Sequence, residues 1–239
     1  MNVRFTNMKS TRWLGLAALA ASVQFLSAAD ITGKVTLKGT PPPEKELPVA
    51  DGFCGPGSIA KTFKGRVYRT ASDGGLADVV VYLKEAPAGG AAKTQPVTLD
   101  QKGCQYEPYV FAVQVNEPIV VKNSDPVLHN VHTRPTVAGN KEQNLAQMPG
   151  SKDLEFKFPA AEQFMRIECN VHPYMVSYLS VFDNPYFAVT DKDGNFTIKN
   201  VPKGSYTVEV AHRRAGKAEQ KVTVGDANAT ANFTLDVPK

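Results

Sequence analysis

Phe164-Met-Arg-Ile-Glu-Cys169-Asn-Val-His172-Pro-Tyr-Met175 is the stretch on which the reading turns. Its first half alternates. Met165, Ile167 and Cys169 share one face while Arg166 and Glu168 share the other, the period-two pattern of a strand with one buried side. Cys169 therefore ends an inward-facing row, where a thiolate is shielded from water. His172 and Met175 follow on a short loop, and Pro173 biases His172 towards an extended backbone. Upstream, Asn123-Ser-Asp-Pro-Val-Leu-His129-Asn130-Val131 supplies a second imidazole.

The same alternation recurs outward from this stretch. Tyr109–Val115, Ile119–Lys122 and Leu154–Phe158 read as strands of the same segment, with Leu154, Phe156 and Phe158 opposite Glu155 and Lys157. Towards the N-terminus, Ile31, Gly33, Val35 and Leu37 alternate with polar residues. Thr62–Tyr68 and Leu76–Leu83 read as a strand pair around the turn Ser72-Asp73-Gly74-Gly75. Beyond Asn184 come Tyr186–Thr190, Phe196–Lys199, Ser205–His212, Glu219–Val224 and Ala231–Leu235, with a tight turn at Asp191-Lys-Asp-Gly194. That turn lacks the later acidic ligands of a calcium loop. No period of 3.6 persists beyond about two turns. The prediction is an all-β chain whose only loop long enough for a helix is Val137–Ser151.

The first 29 residues read as an export signal. Arg4, Lys9 and Arg12 precede an apolar run from Trp13 to Leu26, and Ser27-Ala-Ala29 offers a cleavage point before Asp30. No later run approaches membrane-spanning length. Removing 1–29 leaves 24 basic against 23 acidic residues, a net charge of +1 that gives no footing for nucleic acid. In an exported chain thiols tend to pair, and three cysteines leave one over. Cys54 and Cys104 lie in turn-like settings while Cys169 neighbours His and Met. The expected disulfide is Cys54–Cys104, one of three pairings the sequence allows.

A thiolate and two imidazoles in a plane, with a weakly bound thioether, form a donor set suited to copper cycling between Cu(I) and Cu(II). A structural zinc site would instead offer paired Cys or Cys/His clusters and no Met. The predicted ligands are His129, Cys169, His172 and Met175, holding one copper per chain. His132, three residues along a strand from His129, points to the other face and is expected at the surface or against the ligands. Met148 is expected to pack, and His212, before two arginines, to be solvated. No Gly-x-Ser-x-Gly, His-Glu-x-x-His or phosphate-binding glycine loop occurs, so no enzyme is expected.

Two family resemblances follow. His-Asn-Val at 129–131 and Cys-x-x-His at 169–172 resemble the cupredoxins, the plastocyanin and azurin type, over about ninety residues. The resemblance implies a Greek-key β-barrel or sandwich over 95–184. It makes His129 the strand-borne ligand, Cys169 and His172 the loop ligands, and Asn130 the residue tying the two ligand segments together. Met175 follows His172 more closely than in small blue proteins, which leaves the axial ligand open. Asp-Gly-Asn-Phe-Thr-Ile at 193–198 and Val-Pro-Lys-Gly-Ser-Tyr-Thr-Val at 201–208 resemble the carboxypeptidase regulatory-like, or transthyretin-like, β-sandwich. That family opens with strands like 31–35 and 75–83, which here lie about a hundred residues too early. The organisation expected is a signal peptide (1–29), one β-sandwich split between 30–86 and 185–239, and a copper domain inserted at 95–184.

These features predict a periplasmic or secreted protein passing single electrons to a redox partner such as a c-type cytochrome, with the His172 edge near the surface as the exit. A copper store, carrier or sensor without redox turnover, or a cell-surface interaction module, are the alternatives.

Overall fold

Strands buried on one face build the edges of this chain, and strands apolar on both faces join its layers. The computed structural model describes Met1 and residues 28–48, 52, 54, 62–87 and 90–238. Most of the expected signal segment, 2–27, lies outside the described residues. Among those described there is no helix and none long and apolar enough to cross a membrane.

The first strands are β1 (Ala28–Lys38), β2 (Glu46–Pro48), β3 (Thr62–Lys64), β4 (Val80–Leu83) and β5 (Val97–Gln101). The middle holds β6 (Tyr106–Glu107), β7 (Val110–Gln114), β8 (Ile119–Asn123), β9 (His129–Arg134) and β10 (Gln143–Gln147). β11 (Leu154–Phe156), β12 (Glu162–Glu168) and β13 (Val176–Phe182) complete it. Last come β14 (Phe187–Val189), β15 (Asn195–Pro202), β16 (Gly204–His212), β17 (Gly216–Val224), β18 (Ala229–Thr230) and β19 (Phe233–Asp236).

Four larger sheets result. The first runs β15-β1-β18 with β19 also on β1, and the second β14-β4-β16-β17. The third runs β10-β9-β12-β13-β7 and the fourth β11-β8-β5-β6. Ile31, Val35, Val81, Val210, Ile198 and Phe233 fill the space between the first two. Leu99, Ile119, Val131, Met165, Ile167 and Leu179 fill the space between the third and fourth. Each such side chain contributes roughly 1.5–3 kcal/mol by leaving water. The pairings of β1 with β15 and of β4 with β16 join the N-terminal segment to the C-terminal one across the copper-motif segment. Val79, Val81 and Leu83 face the first core, whereas Val80 and Tyr82 meet Tyr109, Tyr178, Phe182 and Phe187 in a third. The run Val79–Leu83 is thus apolar throughout because it is covered on both sides. The sheets stack as sandwiches, and none closes into a barrel among the described residues.

Four expectations change. Thr62–Tyr68 and Leu76–Leu83 do not form a ladder: β3 pairs with β2, and only a Thr70–Leu76 bridge remains beside the turn. The turn itself forms, with Gly74 at φ +84° and the Gly75 N–H on Asp73 Oδ1. It docks on the Asp191–Gly194 turn, where a Cβ on Gly75 would lie 2.0 Å from the Asp193 carbonyl oxygen. Residues 137–151, expected as a loop, carry strand β10, paired with β9. His212 is not solvated. It is 5 % exposed, its Nδ1 accepts the Ala215 N–H at 3.0 Å, and its ring faces Tyr68. Burial pushes it down to about 4. Met148 does not pack, being 58 % exposed.

Candidate metal centre

Three of the four candidate donors sit at strand ends, and His172 lies in the loop between two of them. His129 opens β9, Cys169 follows β12 and Met175 precedes β13. The loop between them is closed by two backbone bonds, Cys169 N–H to Met175 C=O at 3.1 Å and Met175 N–H to His172 C=O at 2.8 Å. β12 pairs with both β9 and β13, so the three donors belong to neighbouring strands of one sheet.

The side chains converge. His129 Nδ1 lies 3.0 Å from His172 Nδ1, and Cys169 Sγ lies 3.9 Å from the first and 3.6 Å from the second. A metal bonded to nitrogen at about 2.0 Å and sulfur at about 2.3 Å spaces three planar donors roughly 3.5–3.7 Å apart. The observed edges bracket that value, so the residues fit such an ion. His129, Cys169, His172 and Met175 are 0 %, 1 %, 2 % and 1 % exposed. Met175 is thus buried among the core side chains next to Cys169.

Asn130 stitches the centre together. Its Oδ1 accepts the N–H groups of Asn170 and Val171 at 2.7 and 3.3 Å and the Cys169 thiol at 3.4 Å. Its Nδ2 donates to Asn144 and Asn170. Tyr106, fully buried on β6, donates its hydroxyl to the Asn130 carbonyl at 2.6 Å. His132 turns away from the donors. Its ring bridges Asn170 Oδ1 at 2.9 Å and Glu142 Oε1 at 2.6 Å, which braces the loop from outside.

Asp125, absent from the sequence-based ligand set, is the largest addition. Its Oδ2 lies 2.9 Å from His129 Nε2 and also accepts the Cys104 N–H, while Oδ1 accepts the Gly103 N–H. A ring held this way at Nε2 presents Nδ1 as a bare lone pair. Burial opposes the Asp125 carboxylate, but His129 and the two backbone donors outweigh it and hold its pKa below the ordinary value. Burial also opposes the His129 imidazolium, yet Asp125 and Cys169 raise that pKa overall. The Cys169 thiol is pushed up by burial and down by His129 and nearby backbone groups, with a net lowering. The sequence signal for Asp125 was its place four residues before His129.

Cys54 and Cys104 form a disulfide. Cys104 Sγ lies within 4.8 Å of donor nitrogens on both imidazoles, but the disulfide takes up its sulfur. Phe63 stacks on Tyr174 at 4.7 Å, and Tyr174 meets the His172 ring edge-on at 6.2 Å. The expected surface edge of His172 is therefore covered. The loop reaches solvent instead at Val171, 43 % exposed.

Residues 180–236 match the family model of the carboxypeptidase regulatory-like domain. No curated protein matches the chain by sequence. Among solved structures it is similar to a Cu-containing nitrite reductase from Thermus scotoductus SA-01, at 20 % identity and a TM-score of 0.34. That match covers 41 % of this chain and spans only 25 % of the reductase. It is similar to a purple cupredoxin from Nitrosopumilus maritimus, at 18 % identity over 36 % of this chain and 98 % of that one, with a TM-score of 0.30. An amicyanin variant in its reduced Cu(I) form matches at 22 % identity over 42 % and 97 % of the two chains, with a TM-score of 0.33.

Proposed function

We propose that this chain is an exported, non-enzymatic protein that holds one copper ion on His129, Cys169, His172 and Met175 and passes single electrons between redox proteins. One observation carries the reading: two Nδ1 atoms and one Sγ, all buried, meet within 3.0–3.9 Å of one another. Bound there, copper would supply a one-electron Cu(I)/Cu(II) couple.

The protein's own part is to keep the donors still. Asp125 orients His129, Asn130 fastens the Cys169–Val171 backbone, and the Met175 backbone closes the loop on Cys169 and His172. Donors fixed this way need little rearrangement between oxidation states. Enclosure of His172 and Cys169 favours retention of the ion over ready exchange, and so electron transfer over carriage. In this reading the 95–184 segment is the copper domain, set into a sandwich made of 30–86 and 185–239. The chain acts in the periplasm or outside the cell after removal of 1–29, with a c-type cytochrome as one suitable partner.

The test is copper loading of the purified chain. One equivalent should bind and give an intense visible thiolate-to-copper band, and Cys169→Ser should abolish the band while the strand signature in circular dichroism stays. A band that survived Cys169→Ser would end the reading.

A further inference from the structure

A cleft of about 490 Å3 opens where three parts of the chain meet. One wall is the N-terminal segment around Glu44–Leu47 and Phe63–Tyr68. A second runs from Tyr109 to Tyr174–Tyr178 of the metal-bearing unit, and the third is Arg213-Arg214 at the β16–β17 turn. Its size lies within the range of small-molecule sites, which favour such junctions.

The cleft combines ring surfaces with unbalanced positive charge. Phe63, Tyr68, Tyr109 and Tyr178 line it. Arg66 lies over the Tyr109 ring at 4.6 Å but is already paired with Glu107, and Glu44 is occupied in accepting the Tyr68 N–H at 2.6 Å. Arg213 differs. Its guanidinium lies 3.2 Å from the Tyr178 ring centroid and donates to the Tyr109 hydroxyl at 2.9 Å, so it is aimed by two tyrosines. Among the described residues no carboxylate lies within ion-pair distance of Arg213 or of Arg214 beside it. A pre-aimed, half-buried guanidinium without a counter-charge is a site for an anion. Its planar fork suits a carboxylate, and the surrounding rings suit a flat apolar body.

We propose that this cleft binds a small aromatic carboxylate, its anionic end on Arg213 and Arg214 and its ring among Phe63, Tyr68 and Tyr109. The site depends on no metal. It does adjoin the candidate centre, because Tyr174 and Met175 line the same cleft and Tyr174 contacts the His172 ring.

The experiment is isothermal titration of the full chain, before any metal is added, with 1-naphthoate and with its neutral analogue 1-naphthalenemethanol. Naphthoate should bind with one-to-one stoichiometry and the alcohol at least about tenfold more weakly, the share of one charge-assisted hydrogen bond. Arg214→Glu should weaken naphthoate by about tenfold or more without lowering the melting temperature, since that side chain is exposed. Arg213→Gln should do the same, with circular dichroism checking that the Tyr178 contact is not needed for folding. Absence of saturable binding, equal binding of acid and alcohol, or an unchanged affinity in Arg214→Glu would overturn the proposal. Because no copper is present, failure of the copper reading leaves this result standing, and the reverse also holds.

Discussion

Replacing Asp125 by Asn changes one charge and little shape, and it separates a metal role from a structural one. The carboxylate is 8 % exposed and receives three donors: His129 Nε2 at 2.9 Å and the N–H groups of Gly103 and Cys104 at 2.6 and 2.8 Å. Asparagine can still accept from His129 and Cys104 through its carbonyl oxygen, with its amide turned to the Gly103 N–H at the loss of that one bond, but it no longer places a negative charge behind the imidazole. The ring becomes a poorer donor, and the loss falls more on Cu(II) than on Cu(I). Partners of this kind are typically worth about 10–100-fold in metal affinity, or about 1.4–2.8 kcal/mol. Chelator competition should therefore show Cu(II) affinity reduced by that factor, and voltammetry should show a raised reduction potential. Asp125→Ala serves as the contrast. It also deprives two backbone N–H groups of their acceptor, at about 1–3 kcal/mol each where they stay dry, so its melting temperature should fall as well. If Asp125→Asn leaves both Cu(II) affinity and potential unchanged in a folded protein, Asp125 merely supports the Gly103–Cys104 turn, and the argument for ring orientation is wrong.

Three further outcomes are expected. His212 titrates near 6.5 when unfolded but is pushed down to about 4 by burial in the native protein. Its stabilisation is complete above pH 6.5 and is lost as pH falls towards 4, by about 3 kcal/mol in all. Urea melts at pH 7 and 4.5 should show a smaller difference for His212→Gln than for the parent, and equal differences would refute this. Cys54 and Cys104 lie 50 residues apart, so Cys54→Ser should cost about 4 kcal/mol on the chain-entropy estimate; an unchanged denaturation midpoint would count against it. Met175→Leu should raise the potential while the thiolate band persists, whereas exposed Met148→Leu and outward-turned His132→Ala should not. A shift seen only in one of the latter two would assign the fourth ligand elsewhere.

The convergence of His129, Cys169 and His172 was legible in the sequence because it follows from residue type and strand parity. Cys169 ends the Met165, Ile167 row, and the structure buries that whole row. What failed was the local pairing of 62–68 with 76–83. The Ser72–Gly75 turn forms, yet a strand apolar on both faces needs neighbours on both edges and cover on both sides. β4 therefore pairs with β14 and β16 instead of with the residues just before the turn. Strand β10 gave no periodic signal because Asn144, Leu145 and Ala146 are all exposed and backbone pairing with β9 holds it. His212 did carry a signal. It continues the Val208, Val210 row of β16, and parity should have outweighed its basic neighbours. Asp125 had none beyond proximity, since its part depends on which nitrogen of His129 it meets.

The covered His172 follows from the same long-range pairing. β1 and β4 tie the N-terminal segment to β15, β16 and β19, which lie beyond the sheet of β9, β12 and β13 in sequence. Described parts of the stretch between β1 and β4 lie against that sheet's loop end. The Cys54–Cys104 disulfide and the Phe63–Tyr174 stack fasten it there. The residues that complete the sandwich thus also enclose the donor cluster and wall the Arg213 cleft. In the proposed electron-transfer reading, a route through His172 would cross the Tyr174–Phe63 pair, whereas the loop reaches solvent at Val171. The sandwich therefore does more than carry the centre: it determines from which side the centre is reached.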